Sequence, residues 1–356
     1  MTSARGDDPS LASEKSTCYK LLKQSRAMRI QAKPFHPSDA AKTRAALVEE
    51  ASSSSTIITK IVHFQRHGQG IHNQIYKEHA DQSAIPIDLS ETSDPALNPF
   101  LLPNVIDARL TEKGKDQCRY QRDAMVRQYL GGVELIVVSP LVRALETACI
   151  TFEDHLPSSS SSSSSATINN NSKGGEQQQQ QLQQKQGVRW VAHEGIREEL
   201  GLLLCNQRRP LRETRLEFPH VDFSLLLAKQ HHPHNDDYEE EDVLWKKYCE
   251  TTRRMSSVNG NNVGDGSATK MPPQRETMED ISHRAYDFLV DYLCNCPEQE
   301  IAVVGHSAWL LSMTNAVLEL DDGGDDDDTA RRAKEFGTMF GQAELRSATL
   351  TFTENK

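Results

Sequence analysis

Short apolar, β-branched runs alternate with helix-patterned segments along most of this chain, and the runs end in charged or ionisable residues. Residues 57–64 (IITKIVHF), 134–138 (ELIVV), 188–192, 301–304 (IAVV) and 348–352 read as strands. Between them, residues 111–129, 142–152, 278–293 and 308–318 carry helical spacing. The clearest is 278–293, which places Ile281, Ala285, Phe288, Leu289 and Tyr292 on one face. Strand and helix alternating in this way predicts an α/β fold with a largely parallel sheet. Ligands of such sheets bind beyond the carboxyl ends of the strands. Four such ends carry chemistry here: 65–68 (QRHG), 139–143 (SPLVR), 194–199 (EGIREE) and 305–307 (GHS).

Low-complexity tracts interrupt the pattern. Residues 1–55 end in four serines and read as a disordered or loosely ordered N-terminal extension. Residues 56–356 then form one domain, with insertions at about 157–187, 255–275 and 321–329. These insertions are rich in Ser, Gln, Asn, Gly or Asp, and such compositions bury too little apolar surface to offset chain entropy. Asp321, Asp322 and the run 325–328 read as a solvated loop. What remains is roughly 240 residues, enough for a single well-buried core.

The formal charge is −11. A chain this acidic does not draw nucleic acid or anionic membrane through its net field. The 7 cysteines show no CxxC pair, which argues against a zinc site or a disulfide framework and for reduced thiols. No stretch approaches the roughly 18 apolar residues of a membrane span. A cytoplasmic location is expected, with organelle targeting by the N-terminal extension as the alternative. No obligatory protein partner is indicated.

The strand ends hold what phosphoryl transfer requires. An imidazole is a good nucleophile near neutral pH. Two arginines match the fork geometry of phosphate oxygens. A second histidine adds a hydrogen bond, and a carboxylic acid can protonate the leaving oxygen and then activate water. His67, Arg66, Arg143 and His306 fit these roles, completed by Glu198 or Glu199.

At this point a resemblance appears. VHFQRHGQGIHN (62–73) resembles the nucleophile motif of the histidine phosphatase superfamily, the phosphoglycerate mutase-like fold. SPLVRALETA (139–148) resembles its second-arginine helix, VVGHSAWL (303–310) its second-histidine turn, and LTEKGKDQC (110–118) a helix start. They occur in the family's order. GIREELGLLLCNQRRP (195–210), FPHVDFS (218–224) and FGQAELRS (340–347) are similar to segments of the plant and fungal phosphoglycerate mutase-like proteins. The resemblance implies a three-layer α/β/α fold with a mostly parallel central sheet. It also implies a phosphohistidine on His67, with Glu198 as proton donor and Glu199 adjacent. Arg66, Arg143 and His306 would bind the phosphoryl group, assisted by Asn73. The substrate would be a small phosphorylated metabolite, with no cofactor and no metal.

One departure matters. Cofactor-dependent mutases carry Ser and Trp between the Arg-His-Gly and the Asn, whereas this chain has Gln69, Gly70, Ile71 and His72. That favours a phosphatase over a mutase, with a non-catalytic phospho-ligand binding module as a third reading. Asn73 could instead cap a helix. Arg208 and Arg209 could serve substrate or face solvent. His231, His232 and His234, beside Asp236 and Asp237, read as a solvated loop rather than a metal site.

Overall fold

In a computed structural model, the chain is described over residues 26–51, 57–83, 85–89, 94–157, 187–228, 242, 244–245, 275–321 and 327–355. Among the described residues, seven strands form one sheet: β1 (Met28–Phe35), β2 (Ile58–Arg66), β3 (Leu135–Val138), β4 (Arg189–Ala192), β5 (Glu300–Gly305), β6 (Glu319–Leu320) and β7 (Leu345–Glu354). Their order is β4-β3-β5-β2-β7-β1-β6. The β3–β4, β3–β5, β2–β5 and β1–β6 pairs are parallel. Only β7 runs against its neighbours β2 and β1. The mostly parallel sheet expected from the sequence is therefore present.

The main helices are α1 (Ala40–Ala51), α2 (Ile71–Gln82), α3 (Glu112–Gln121), α4 (Val142–Thr151), α5 (Leu211–Glu217), α6 (Met278–Asp287), α7 (Ser307–Ser312) and α8 (Asp327–Phe336). They lie on both faces because the strands are apolar on both faces. Successive strand side chains point to opposite sides. Leu135 and Val137 of β3 pack into one core with Ile281 and Ala285 of α6 and Leu310 of α7. Ile136 and Val138 pack into the other with Ala144, Leu145 and Ala148 of α4. α6 starts where the sequence supplies a capping box: Thr277 accepts from the Asp280 N–H, and the Asp280 carboxylate accepts from the Thr277 N–H. α3, α6 and α7 each run on into a π-helical turn, at Arg122–Val126, Phe288–Leu293 and Met313–Val317.

Two expectations are corrected. Residues 26–51 are not a loose extension. They supply β1, which pairs along its whole length with β7, and α1. β1 buries Ile30, Ala32 and Pro34 and exposes Arg29, Gln31 and Lys33, so alternate residues face inward. The Asp run is likewise not all loop, since Asp327 and Asp328 begin α8 and Asp328 pairs with Arg331 and Arg332. Carboxylates in a first helical turn are stabilised by the helix dipole. The insertions expected at 157–187 and 255–275 fall almost wholly outside the described residues.

The topology has a direct consequence for chemistry. β4, β3, β5 and β2 are consecutive parallel neighbours, so their carboxyl ends form one continuous edge.

Candidate active site

His67 follows β2 and is pinned on both sides. Its N–H donates to the Gly305 carbonyl at 3.0 Å, and its carbonyl accepts from the Ala343 N–H at 3.1 Å. The next turn depends on missing side chains. A Cβ on Gly68 would lie 2.6 Å from the Gly114 carbonyl oxygen, and one on Gly114 would lie 2.2 Å from the Gln69 carbonyl oxygen. Two glycines thus let α3 press against the loop that carries His67.

The His67 ring is 1 % exposed. Its Nδ1 lies 2.7 Å from the Gly68 carbonyl oxygen. A carbonyl only accepts, so Nδ1 carries the proton and the neutral ring keeps its lone pair on Nε2. That atom faces Arg143, whose Nε donates to it at 3.3 Å. Burial, followed by the charge of Arg143, holds the imidazole well below its ordinary pKa. Nε2 is therefore an unprotonated nitrogen beside a guanidinium.

Arg143 is fully buried in the first turn of α4. Its Nη1 donates to the Cys205 carbonyl at 2.6 Å and its Nη2 to Asn206 Oδ1 at 2.8 Å. Asn206 in turn donates through Nδ2 to the Glu199 carbonyl at 2.8 Å. The start of α4 is capped from a distance. Asp107, at φ 45°, accepts from the Val142 N–H at 2.8 Å and from the Arg209 N–H at 3.1 Å. Neither Asn206 nor Asp107 was singled out as a site residue from the sequence. Both reach Arg143 or its helix across at least 35 residues, and no local pattern encodes that.

His306 follows β5 and is the N-cap of α7. Its Nε2 lies 2.7 Å from Ser139 Oγ, its buried Nδ1 has no partner, and its ring centroid is 5.1 Å from that of His67. Arg66 donates through Nη1 to the Phe340 carbonyl at 2.7 Å and keeps a buried Nε without a partner.

The two candidate acids separate clearly. The Glu198 carboxylate accepts from the Ala308 N–H at 3.1 Å and from Ser307 Oγ–H at 3.2 Å, beside His306. Glu199 is instead gripped by Arg275 through two hydrogen bonds of 2.5 and 2.6 Å. The backbone leading into them is set by Arg284, which donates to the Gly195 and Arg197 carbonyls and pairs with Glu276.

Asn73 spends its Oδ1 on the Gly70 N–H at 3.0 Å, so it caps α2 rather than pointing that oxygen at a ligand. Arg208 packs beside Glu194, and Arg209 pairs with Glu217. The residues from His231 to Asp237 lie outside the described residues. The structure also brings in a side chain that was read only as a departure from the mutase pattern. His72 is 6 % exposed, and its ring centroid is 5.6 Å from that of His67.

Three buried rings here share one electrostatic state. His67, His72 and His306 are all held well below the ordinary imidazole pKa, first by burial and next by Arg143. In the unfolded chain each takes up a proton near pH 6.5. The unfolded state thus binds more protons below that pH, and stability falls as pH drops from 7 toward 5. Each ring contributes up to about 1.4 kcal/mol per pH unit. The expected loss between pH 7 and 5.5 is on the order of 3 kcal/mol from the three together. Urea unfolding midpoints that do not move over that range would contradict the burial of three neutral rings.

No family model matches the chain. Among curated proteins it is 26 % identical over 253 residues to a phosphoglycerate mutase-like protein of Arabidopsis thaliana, covering 70 % of this chain and 72 % of that one. It is also 26 % identical over 318 residues to phosphoglycerate mutase-like protein 2 of the same plant, covering 82 % and 74 %. Among solved structures, a mycobacterial glucosyl-3-phosphoglycerate phosphatase aligns at 15 % identity and a TM-score of 0.35, covering 82 % of this chain and 90 % of that one. No helix among the described residues is long and apolar enough to cross a membrane. By those relatives, and by the Arg-His-Gly, second-arginine and second-histidine segments in their order, the chain is similar to phosphoglycerate mutase-like proteins.

Proposed function

We propose that this protein is a phosphatase that hydrolyses a small phosphate monoester through a phosphohistidine on His67. The observation that carries this reading is the lone pair of His67 Nε2, fixed by the Nδ1 contact to a carbonyl and set beside the Arg143 guanidinium. In the first step Nε2 attacks phosphorus and the bond to the ester oxygen breaks. Glu198 donates a proton to that oxygen, and the alcohol leaves. In the second step the Glu198 carboxylate takes a proton from water, the water oxygen bonds to phosphorus, and the P–N bond breaks. Inorganic phosphate departs and the Nε2 lone pair returns. Arg66, Arg143 and His306 hold the three non-bridging oxygens throughout, where charge in the transition state is greatest. Asn73 contributes by shaping the turn that presents His67. The steps call for no metal and no cofactor.

The test is rapid quenching with a labelled aryl phosphate. Wild-type protein is expected to trap one acid-labile, alkali-stable phosphoryl group per chain, formed faster than steady-state turnover. Protein that binds phosphate but never becomes labelled would instead be a phospho-ligand binding module. Incubation with 3-phosphoglycerate and a bisphosphate primer separates the mutase reading. Isomer formed faster than phosphate is released would overturn the phosphatase assignment.

A further inference from the structure

The proposed mechanism leaves one buried ring in the pocket without a task. His72 stands in the first turn of α2, between the His67 ring and Phe100, with ring centroids 5.6 and 6.1 Å away. Phe100 is itself stacked on Tyr76 at 5.7 Å and 8°. An aromatic wall therefore holds the imidazole from behind. Its Nδ1 is buried and has no hydrogen-bond partner. An unpaired buried ring nitrogen is costly, and a ligand that pairs with it removes the cost.

The spacing Gly70-Ile71-His72 explains how the ring fits. A Cβ built on Gly70 would lie 2.6 Å from both Nδ1 and Cε1 of His72. A side chain at position 70 would force the imidazole to shift, because the ring occupies the volume into which that side chain would project. Glycine at 70 and histidine at 72 act as one unit, the first vacating space and the second filling it with a hydrogen-bonding edge. The ring is also close enough to Arg143 and Arg66 for their charges to hold it neutral, after burial. A neutral imidazole has one N–H to give, and tautomerism can place it on either nitrogen.

We infer that His72 is a third imidazole of the phosphoryl pocket, hydrogen-bonding an oxygen of the bound phosphate through the edge that faces Gly70. This rests on the proposed reading of the pocket as a phosphate site. Gln69 to His72 is where the chain departs from the mutase pattern, so the departure becomes a binding device of its own. His72 takes no part in breaking or forming bonds, and its contribution is to hold and orient the phosphoryl group.

Inorganic phosphate is the probe, titrated calorimetrically at pH 7 and low ionic strength against wild type, His72→Gln and His72→Phe. Phenylalanine keeps an aromatic ring against Phe100 and His67 but cannot donate, whereas glutamine keeps a donor and loses the ring. Affinity is expected to fall about 10- to 100-fold in the Phe variant and to stay within about 3-fold of wild type in the Gln variant. His72→Ala replaces the Phe variant if that protein does not fold. Wild-type affinity in the Phe or Ala variant overturns the inference and leaves the pocket intact. An equal loss in Gln and Phe overturns it as well, because the ring would then serve shape alone. A folded wild-type protein that binds no phosphate overturns the reading of the pocket, and the role of His72 with it.

Discussion

Replacement of His67 by alanine is expected to lower phosphomonoesterase turnover by roughly 10⁵-fold or more and to abolish acid-labile labelling, because neither neighbouring imidazole among the described residues is placed to replace it. The rings of His306 and His72 stand 5.1 and 5.6 Å away, but neither has the geometry of His67. His306 commits Nε2 to Ser139, and the Nδ1 of His72 faces Gly70. Of these three rings, His67 alone combines a carbonyl acceptor on Nδ1 with an unprotonated Nε2 that faces Arg143. Truncation leaves Arg66, Arg143 and His306 in place, so the variant should still bind inorganic phosphate. That retained binding separates loss of chemistry from collapse of the pocket. Turnover above about one per cent of wild type in a folded variant that binds phosphate would end the phosphohistidine mechanism. So would label recovered on another residue.

Local signals made part of this molecule readable in advance, and distance hid the rest. β2, β3 and β5 announce themselves through β-branched runs buried on both faces, and β7 through alternation. β1 does not, because its inward residues are Ile30, Ala32 and Pro34 in a segment otherwise rich in Lys, Arg and Ser. Its strand state is imposed by eight register partners in β7, more than 300 residues later. The same division runs through the site. His67, Arg66, Arg143 and His306 lie next to strand ends, where an α/β sheet gathers its ligands. Asp107 and Asn206 work on α4 and Arg143 across 35 and 63 residues, so only the folded chain reveals them. Asn73 was legible as a polar residue near the nucleophile, but both its candidate duties fit the sequence. The hydrogen bond from the Gly70 N–H shows the structural one. His72 was visible only as a mismatch, since its meaning depends on the space that Gly70 leaves empty.

The choice between Glu198 and Glu199, which spacing could not make, yields the second large effect. Glu198→Gln is expected to reduce kcat by about 10²- to 10⁴-fold on alkyl phosphates, whose leaving oxygens need a proton. On p-nitrophenyl phosphate, whose oxygen leaves without one, the loss in the rate of phosphoenzyme formation should shrink to a few-fold, while turnover stays slow because Glu198 also activates water in the second step. Glu199→Gln should change kcat only a few-fold on either substrate. The reason lies in what each carboxylate already holds. Glu198 accepts from Ala308 and Ser307 at the start of α7, one residue past His306, and its charge acts on Arg66. A carboxyl so placed can trade a proton with an oxygen held between Arg66 and His67. Glu199 is bound at both oxygens by Arg275, and although burial pushes its pKa up, that two-pronged grip turns the carboxylate aside. Using it as an acid would require breaking two charge-assisted hydrogen bonds in each cycle. If Glu199→Gln proved the crippled variant, with the steep dependence on leaving group, Arg275 would have to release its partner during turnover. The ester oxygen would then depart past the segment that begins at Arg275 instead of past α7.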